Sequence, residues 1–223
     1  MMANKPVLTG YEFSVYSRSL RIALAEKGVE YTYQERNPFE PADLNMLKKS
    51  HPFGRVPVLQ HEGFELWETA AMLDYVNAGF DGPSLVPEGA QPMARMRQVI
   101  AVMDNYAYWP LIRQGFSQAL FRPLMGEAGD EAEIEQGLAA APMVLDTLEK
   151  FASEGVVLAR GRVCLASCHA LPMLEYFALV PEGRDLLRHY KALSRWLEWM
   201  GQRRSVIETR PSLDLAAMKG HTQ

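Results

Sequence analysis

Two short segments of the sequence place hydroxyl or carboxylate side chains where a helix is expected to begin. Ser14 opens the polar tetrad Ser-Val-Tyr-Ser at 14–17, and its hydroxyl can cap a helix or donate a hydrogen bond to an anion. Glu68 and Thr69 open a second helix, where a carboxylate can pair with an ammonium group while the hydroxyl and helix N–H groups bind an anion. Both segments can therefore bind a small charged ligand, although helix capping alone also favours serine and threonine at such positions.

Cys164, Cys168 and His169 form the other cluster of potentially reactive side chains. A Cys-x3-Cys-His run without further spaced ligands is a weak metal pattern, and small buried side chains on one helical face explain the same spacing. Two cysteines are also too few for a disulfide scaffold, which favours a reducing compartment. We therefore expect no metal site.

The elements that must position these side chains alternate between strand and helix over residues 1–80. Leu20, Ala23 and Leu24 share one helical face, and Gly28 fits a glycine C-cap. Proline begins the third predicted strand, and the predicted order is β-α-β-(α)-β-β-α. The patterns predict a strand at 6–11, a helix at 17–27, a strand at 29–36, a short helix at 43–49, a hairpin at 56–66 and a helix at 69–79.

A run of proline and glycine separates this α/β region from a second, all-helical region. We expect a linker at 81–92 and a helical domain at 93–223, after a first domain at 1–80. The first long helix contains Pro110, which is expected to kink it or divide it in two. Periodic apolar patterns predict helices at 93–125, 131–153, 165–178 and 182–202.

Composition excludes several classes of protein. Of the 223 residues, 48% are hydrophobic and 22% are charged, which excludes an intrinsically disordered chain. With 23 basic and 27 acidic residues the net charge is −4, so the positive field of a nucleic-acid-binding protein is missing. No signal peptide or membrane-spanning run is visible, and we expect a cytoplasmic protein without nucleic-acid or membrane partners.

The α/β unit has the outline of a thioredoxin-like domain, and the whole chain resembles the cytosolic glutathione transferase superfamily. Within that superfamily it is most similar to the serine-type classes, as a theta/zeta/phi-like bacterial member. The resemblance implies a thioredoxin-like N-terminal domain, an all-α C-terminal bundle and a homodimer. It is carried by Ser-Val-Tyr-Ser at 14–17 with Leu-Arg-Ile-Ala-Leu at 20–24, His-Pro-Phe-Gly-Arg-Val-Pro-Val-Leu at 51–59, Trp-Glu-Thr-Ala-Ala at 67–71, and Leu-Ala-Ser-Cys-His-Ala at 165–170.

The resemblance implies that glutathione is the cosubstrate and that Ser14 is the catalytic residue. A free thiol with a pKa of about 8.5 is only about 3% ionised at pH 7, so the enzyme must stabilise the thiolate. Lowering the pKa by two requires about 2.7 kcal/mol, which one or two hydrogen bonds beside a helix N-terminus can supply. Tyr11 and Tyr16 are alternative donors: Tyr11 ends the first strand, and Tyr16 lies two residues beyond Ser14.

The same tetrad also excludes a related chemistry. Thioredoxins, glutaredoxins and the cysteine-type transferases need a cysteine at the start of this helix, because thiol exchange proceeds through a mixed disulfide. Here the tetrad contains no cysteine, and both cysteines of the chain lie in the second domain. The reactive sulfur must therefore come from the substrate.

Further contacts with glutathione follow from the resemblance. The Val56-Pro57 bond is expected to be cis, so that the Val56 backbone can pair with the cysteinyl part of the ligand. Arg55 and His51 can contact the glycyl carboxylate, although both can equally be solvated polar residues.

Glu68 and Thr69 match the pair that holds the γ-glutamyl end of glutathione, with an N-cap pair as the alternative. The second substrate is expected to contact Tyr16, Tyr106 and Trp109, but aromatic residues at helical spacing more often belong to the core or to a dimer contact.

At the start of the buried helix of the second domain, this family carries a Ser/Thr cap followed three residues later by Asp. Here the corresponding residues are Cys164 and Ser167. The loss of such a cap costs about 1 kcal/mol unless Ser167 replaces it.

The sequence thus predicts an enzyme that adds the glutathione thiolate to a small hydrophobic electrophile. A glutathione-dependent isomerase or a dehalogenase would use the same site. A non-catalytic binding or regulatory module is the alternative from another class, although such a module has no need for Ser14, Pro57, Glu68 and Thr69 together.

Overall fold

A computed structural model describes residues 5–213, which divide into two compact units. Within these residues, the first unit comprises 5–87 and Arg204–Pro211, and the second comprises Glu88–Arg203 with 212–213. The fold class expected from the sequence, a thioredoxin-like α/β domain followed by a helical domain, is confirmed. No helix among residues 5–213 has both the length and the apolar character needed to cross a bilayer.

A four-stranded sheet in the order β2-β1-β3-β4 is the centre of the first unit. β1 and β2 are parallel, whereas β3 is antiparallel to both β1 and β4. The register pairs Thr9 with Val58 and Leu59 with Leu66, so the ends of β1, β2 and β4 and the beginning of β3 meet at one edge. The strands are β1 Val7–Gly10, β2 Thr32–Glu35, β3 Val58–His61 and β4 Phe64–Leu66.

Helices pack on this sheet through the apolar faces that the sequence predicts. Leu20 and Leu24 are fully buried, and Gly28, with a φ of 72°, ends the first helix as its C-cap. The predicted helix start at 17 was two residues late, because Ser14 caps the helix and Val15 is its first residue. The helices of this part of the chain are α1 Val15–Lys27, α2 Pro41–Ser50 and α3 Thr69–Gly79.

The second unit is helical and is organised around the buried helix α7. The first helix of this unit continues through Pro110 instead of dividing there. Its turns widen to a π-type pattern from Met103 onward. A Cβ on Gly137 would lie 2.7 Å from the Pro110 carbonyl oxygen, so glycine permits the close approach of α6 to this segment. The elements are α4 Ala90–Val102, the π-helical segment Met103–Phe121, α5 Arg122–Leu124, α6 Glu131–Ser153, α7 Leu165–Leu179, α8 Pro181–Leu187 and α9 Lys191–Gly201.

The single helix predicted at 182–202 is wrong, because the structure divides it into α8 and α9. The Glu149 carboxylate, on α6, accepts hydrogen bonds from the backbone N–H groups of Ala192 and Leu193 at 2.9 and 2.8 Å. The first N–H groups of a helix have no partner within the helix, and here a side chain more than forty residues away in sequence caps two of them. The partner that starts α9 is therefore remote in sequence.

A short helix, α10 Arg204–Ile207, belongs to the first unit, although the sequence analysis assigned residues 204–211 to the helical domain. The Arg18 guanidinium, 1% exposed on α1, donates to the Val206 carbonyl at 3.3 Å. The Ser205 hydroxyl donates to the Glu26 carboxylate. Residues 204–211 thus complete the packing around α1.

The start of α7 contains the predicted Cys164 and Ser167 pair. The Ser167 hydroxyl accepts a hydrogen bond from the Cys164 backbone N–H at 3.4 Å, and the Cys164 sulfur lies 3.5 Å from the same hydroxyl. The Cys164 sulfur in turn faces the backbone N–H of Ser167, which completes the reciprocal geometry of a capping box with sulfur in place of the usual oxygen. Neither Cys164 nor Cys168 forms a disulfide.

Candidate functional site

The sheet register gathers four segments at one edge, which we call the site edge: residues 11–14, 36–40, 51–57 and 67–69. The first two segments follow the parallel strands β1 and β2, whose ends meet there. The third segment precedes β3 and the fourth follows β4, which run antiparallel in matching register. Ser14, Val56 and Glu68, which are far apart in sequence, are therefore brought to the same end of one sheet.

Ser14 is the N-cap of α1, and its half-buried side chain has a defined hydrogen-bond role. Its Oγ accepts from the Ser17 backbone N–H at 3.2 Å, and its own N–H donates to the Tyr11 carbonyl at 2.9 Å. Since a hydroxyl carries one donor and two acceptor positions, the cap leaves the Ser14 O–H proton available. No described residue accepts it, so the proton can be donated to an anion bound at the α1 N-terminus.

The two tyrosines weighed against Ser14 have different surroundings. Tyr11 is only 8% exposed, and burial, reinforced by Glu35, Glu12 and Glu40, raises its pKa to about 12. A phenol with a raised pKa is a weaker donor, and the neighbouring carboxylates oppose a second negative charge. Tyr16 is half-buried in the first turn of α1.

The Val56-Pro57 peptide bond is cis, as the resemblance implies. Val56 is half-buried, and neither its N–H nor its C=O forms a hydrogen bond with any residue of the described chain. Backbone groups in a folded protein are rarely left without a partner, so this donor and acceptor are open to an extended peptide ligand.

His51 and Arg55 flank this backbone. His51 is 3% exposed, and its Nδ1 accepts from the Phe53 N–H at 3.2 Å, which leaves the proton of the neutral ring on Nε2. Burial lowers the pKa of His51; the nearby Glu68 opposes this effect and Arg55 adds to it. Arg55 and Glu68 therefore lie near the imidazole, and both of their side chains are exposed.

Glu68 is the N-cap of α3, with a φ of 72° that is costly for a residue other than glycine. Its carbonyl accepts from the Met72 N–H, but its side chain does not cap the helix, and Thr69 lies inside the helix with 8% exposure. The N-cap pair considered in the sequence analysis is therefore not formed. The first N–H groups of α3 remain available to an anionic ligand.

Two predicted residues lie in the second unit. Tyr106 and Trp109 are on the π-helical segment and are 66% and 58% exposed. Neither belongs to the core, which was one of the alternatives for these rings. Among residues 5–213, no group of three or more His, Cys, Asp or Glu side chains is arranged to hold a metal ion.

Sequence reasoning assigned no role to two aromatic residues that support the site. The His51 ring lies 5.0 Å from Trp67 and 6.0 Å from Phe53, measured between ring centroids, and Phe53 and Trp67 are in edge contact at 5.9 Å. This packing orients the imidazole. Both residues lie within segments that were predicted to bind the ligand, at 51–59 and 67–71, and this position in the sequence could have indicated their role.

Comparison with known proteins shows similarity to glutathione S-transferases. Residues 8–84 match the family model described as the glutathione S-transferase N-terminal domain. Glutathione S-transferase F7 from Arabidopsis thaliana is 25% identical over 209 residues, which cover 91% of this chain and 94% of the relative. Other proteins similar to this chain are also plant phi-class transferases.

Solved structures agree in fold. Glutathione S-transferase-I bound with the ligand lactoylglutathione superposes with a TM-score of 0.82 at 24% identity, covering 93% of this chain and 99% of that one. Glutathione S-transferase I from mais, in complex with an atrazine glutathione conjugate, has a TM-score of 0.76 at 24% identity and covers 99% and 100%. The chain thus has the fold of the glutathione S-transferases, with a thioredoxin-like first domain and a helical second domain, and its residues 8–84 match their N-terminal domain.

Proposed function

We propose that this protein is a serine-type glutathione S-transferase. Within that type it is a theta/zeta/phi-like bacterial member, as the resemblance implies. It would conjugate the thiolate of glutathione to small hydrophobic electrophiles. The observation that carries the proposal is the site edge itself. There a free hydroxyl proton, an unpaired peptide group and an uncapped helix N-terminus lie at one end of the sheet.

The α3 N-terminus and the Val56 peptide group, together with Arg55 and His51, match the three residues of glutathione. The α3 N-terminus with Thr69 binds the α-carboxylate of the γ-glutamyl residue, and the exposed Glu68 carboxylate pairs with its ammonium group. The open N–H and C=O of Val56 pair with the backbone of the cysteinyl residue. Arg55 and the Nε2–H of His51 bind the glycyl carboxylate.

Ser14 then acts on the thiol of the bound tripeptide. Its O–H donates to the sulfur, and the N-terminus of α1 adds a favourable field for negative charge. Both effects favour the thiolate, which attacks the electrophilic carbon of the second substrate, and the leaving group departs with its electron pair. Solved relatives bound to glutathione conjugates are consistent with this reaction.

Tyr16, Tyr106 and Trp109 are proposed to contact the second substrate. The exposed rings of Tyr106 and Trp109 offer apolar area that is not used in the core. Isomerisation and dehalogenation would use the same thiolate. A non-catalytic module is less well supported, because it would not require the free Ser14 hydroxyl proton. We also propose that the protein is a cytoplasmic homodimer.

Retention on immobilised glutathione, followed by turnover of a chloronitrobenzene, tests the function. We expect both binding and conjugation. Binding without turnover of any electrophile would favour the module, and failure to bind glutathione would contradict the proposal. Gel filtration with light scattering tests the dimer.

A further inference from the structure

An aromatic wall stands beside Ser14 at the site edge, and it consists of Tyr11, Phe13 and Phe39. The Tyr11 ring makes edge contacts with Phe13 at 5.4 Å and with Phe39 at 6.0 Å between centroids. Phe39 is 65% exposed although it is a large apolar side chain. Phe13 and Phe39 come from segments that follow the parallel strands β1 and β2, which explains why the rings meet.

Three carboxylates lie near the Tyr11 phenol of this aromatic wall. Glu35, Glu12 and Glu40 are all close enough to the Tyr11 phenol to contribute to its raised pKa. The Glu12 backbone N–H donates to the Glu35 carboxylate at 2.9 Å, which holds that carboxylate against the first segment.

The three carboxylates are not held in ion pairs by described residues. None of Glu12, Glu35 and Glu40 forms an ion pair with a residue in the described range 5–213. The neighbouring Arg36 lies 3.6 Å from Asp43, so its charge is shared with a different carboxylate. The aromatic wall therefore lies near three carboxylates that are not paired with a cation.

The aromatic wall is within one turn of the hydroxyl proposed to hold the thiolate. The hydrogen bond from Ser14 N–H to the Tyr11 carbonyl closes a turn whose two central residues are Glu12 and Phe13. An electrophile that approaches a sulfur held by Ser14 thus has aromatic rings and carboxylates on this side.

We propose that the aromatic wall selects the second substrate by charge, accepting aromatic electrophiles that are neutral or cationic and disfavouring anionic ones. Aromatic faces and carboxylates together form the environment that recognises quaternary ammonium groups. This inference rests on the proposed function, because it concerns the second substrate of that reaction. Glutathione, itself an anion, is accommodated because its carboxylates bind at α3 and near Arg55, in other segments of the site edge.

The test uses three chlorodinitrobenzenes that differ in one ring substituent: a carboxylate, an uncharged carboxamide and a carboxamide with a trimethylammonium group. The measured quantity is kcat/KM for each compound at saturating glutathione. Each kcat/KM is divided by the rate constant of the uncatalysed reaction of the same compound with glutathione, so that the electronic effect of the substituent cancels in the ratio of cationic to anionic compound. We expect this ratio to exceed one in the native protein.

A triple variant, Glu12→Gln with Glu35→Gln and Glu40→Gln, removes the charge and keeps the shape. We expect the cation-to-anion ratio to fall at least about tenfold, since each carboxylate acts on both compounds with opposite sign. The single variant Glu12→Gln should change the ratio in the same direction by about threefold. Glu30→Gln is the matched control, because Glu30 precedes the opposite end of β2 and pairs with Lys5.

The outcomes separate this inference from the proposed function. If the uncharged compound is conjugated but the ratio is one or less, or is unchanged in the triple variant, the charge selection is overturned and the transferase function stands. If none of the three compounds is conjugated, the proposed function fails and the inference fails with it. A fall in the ratio in Glu30→Gln as large as in the triple variant would also overturn it.

Discussion

The Ser14 hydroxyl oxygen accepts a hydrogen bond from the backbone N–H of Ser17 at 3.2 Å, so one side chain both caps α1 and retains a free proton. Ser14→Ala removes the cap and the donor together. We expect turnover to fall at least about tenfold, as expected for the loss of one charge-assisted hydrogen bond, with a raised pKa of the bound thiol. Ultraviolet absorbance of the thiolate during a pH titration measures this pKa.

A matched variant separates the two roles of Ser14. Ser14→Asp retains a good N-cap but places a carboxylate beside the sulfur, so stability should be kept while activity is lost. Ser14→Ala should lower the free energy of unfolding by about 1 kcal/mol. A greater loss of turnover in Tyr11→Phe than in Ser14→Ala would assign the thiol to the phenol instead.

Glu68 combines a proposed ligand contact with an unfavourable backbone conformation. We expect Glu68→Ala to raise the Michaelis constant for glutathione and to change kcat/KM ratios between second substrates by less than about twofold, because the carboxylate contacts only the ammonium group. Steady-state kinetics with each substrate varied in turn will show whether the effect is confined to glutathione.

Glu68→Gly should have the same kinetic effect as Glu68→Ala, but the glycine variant should be the more stable of the two. A φ of 72° is readily adopted only by glycine, and relief of this conformation should raise the free energy of unfolding by about 1 kcal/mol. Denaturant unfolding of Glu68→Gly and Glu68→Ala measures the difference. Equal stability of the two variants would argue against strain at this residue.

Burial of His51 predicts a pH dependence of stability. Its pKa in the folded protein is lowered from the ordinary value of about 6.5, so the unfolded chain binds more protons as the pH falls. The contribution of His51 is therefore present above about pH 6.5 and is lost as the pH falls through the lowered pKa of the folded protein.

His51→Asn is the variant that tests this dependence, because its side-chain oxygen can still accept from the Phe53 N–H. We expect the free energy of unfolding to decrease less steeply in this variant than in the native protein as the pH falls below about 6.5. An identical slope in both proteins would exclude His51 as the responsible group.

The start of α7 predicts a stabilising substitution. Cys164→Ser replaces a weak sulfur acceptor with a favoured N-cap oxygen of similar size, and we expect a gain of about 0.5 to 1 kcal/mol in the free energy of unfolding. Cys168→Ser, which is fully buried, is the matched comparison and should lose about 1 to 3 kcal/mol. Denaturant midpoints distinguish the two, and a loss in Cys164→Ser would mean that the sulfur is preferred for packing.

Much of this structure could be predicted because the decisive signals are local. Leu20, Ala23 and Leu24 at helical spacing with Gly28 behind them define α1, and the hairpin and α3 follow from equally local patterns. Proline at 57 could be assigned a cis bond only through the resemblance, since proline alone favours trans.

Other features depend on partners that are remote in sequence. The break between α8 and α9 follows from the Glu149 carboxylate on α6, and no local pattern at 188–190 announces it. An N-cap pair of Glu68 and Thr69 was the alternative to ligand contact, but Glu68 has a positive φ and its side chain does not cap α3. This backbone angle has no sequence signature. The carboxylates around Tyr11 meet only because β1 and β2 are parallel neighbours.

Val56 presents its main chain, not its side chain, to the proposed ligand. Its N–H has no acceptor among the described residues, so in the free protein this amide should exchange with deuterium rapidly for a half-buried position. Glutathione should slow that exchange, which makes a single amide proton a reporter of occupancy that needs neither a label nor turnover. It follows that many side chains could replace valine at this position without loss of binding, and that side-chain mutagenesis alone would overlook one of the contacts on which recognition rests.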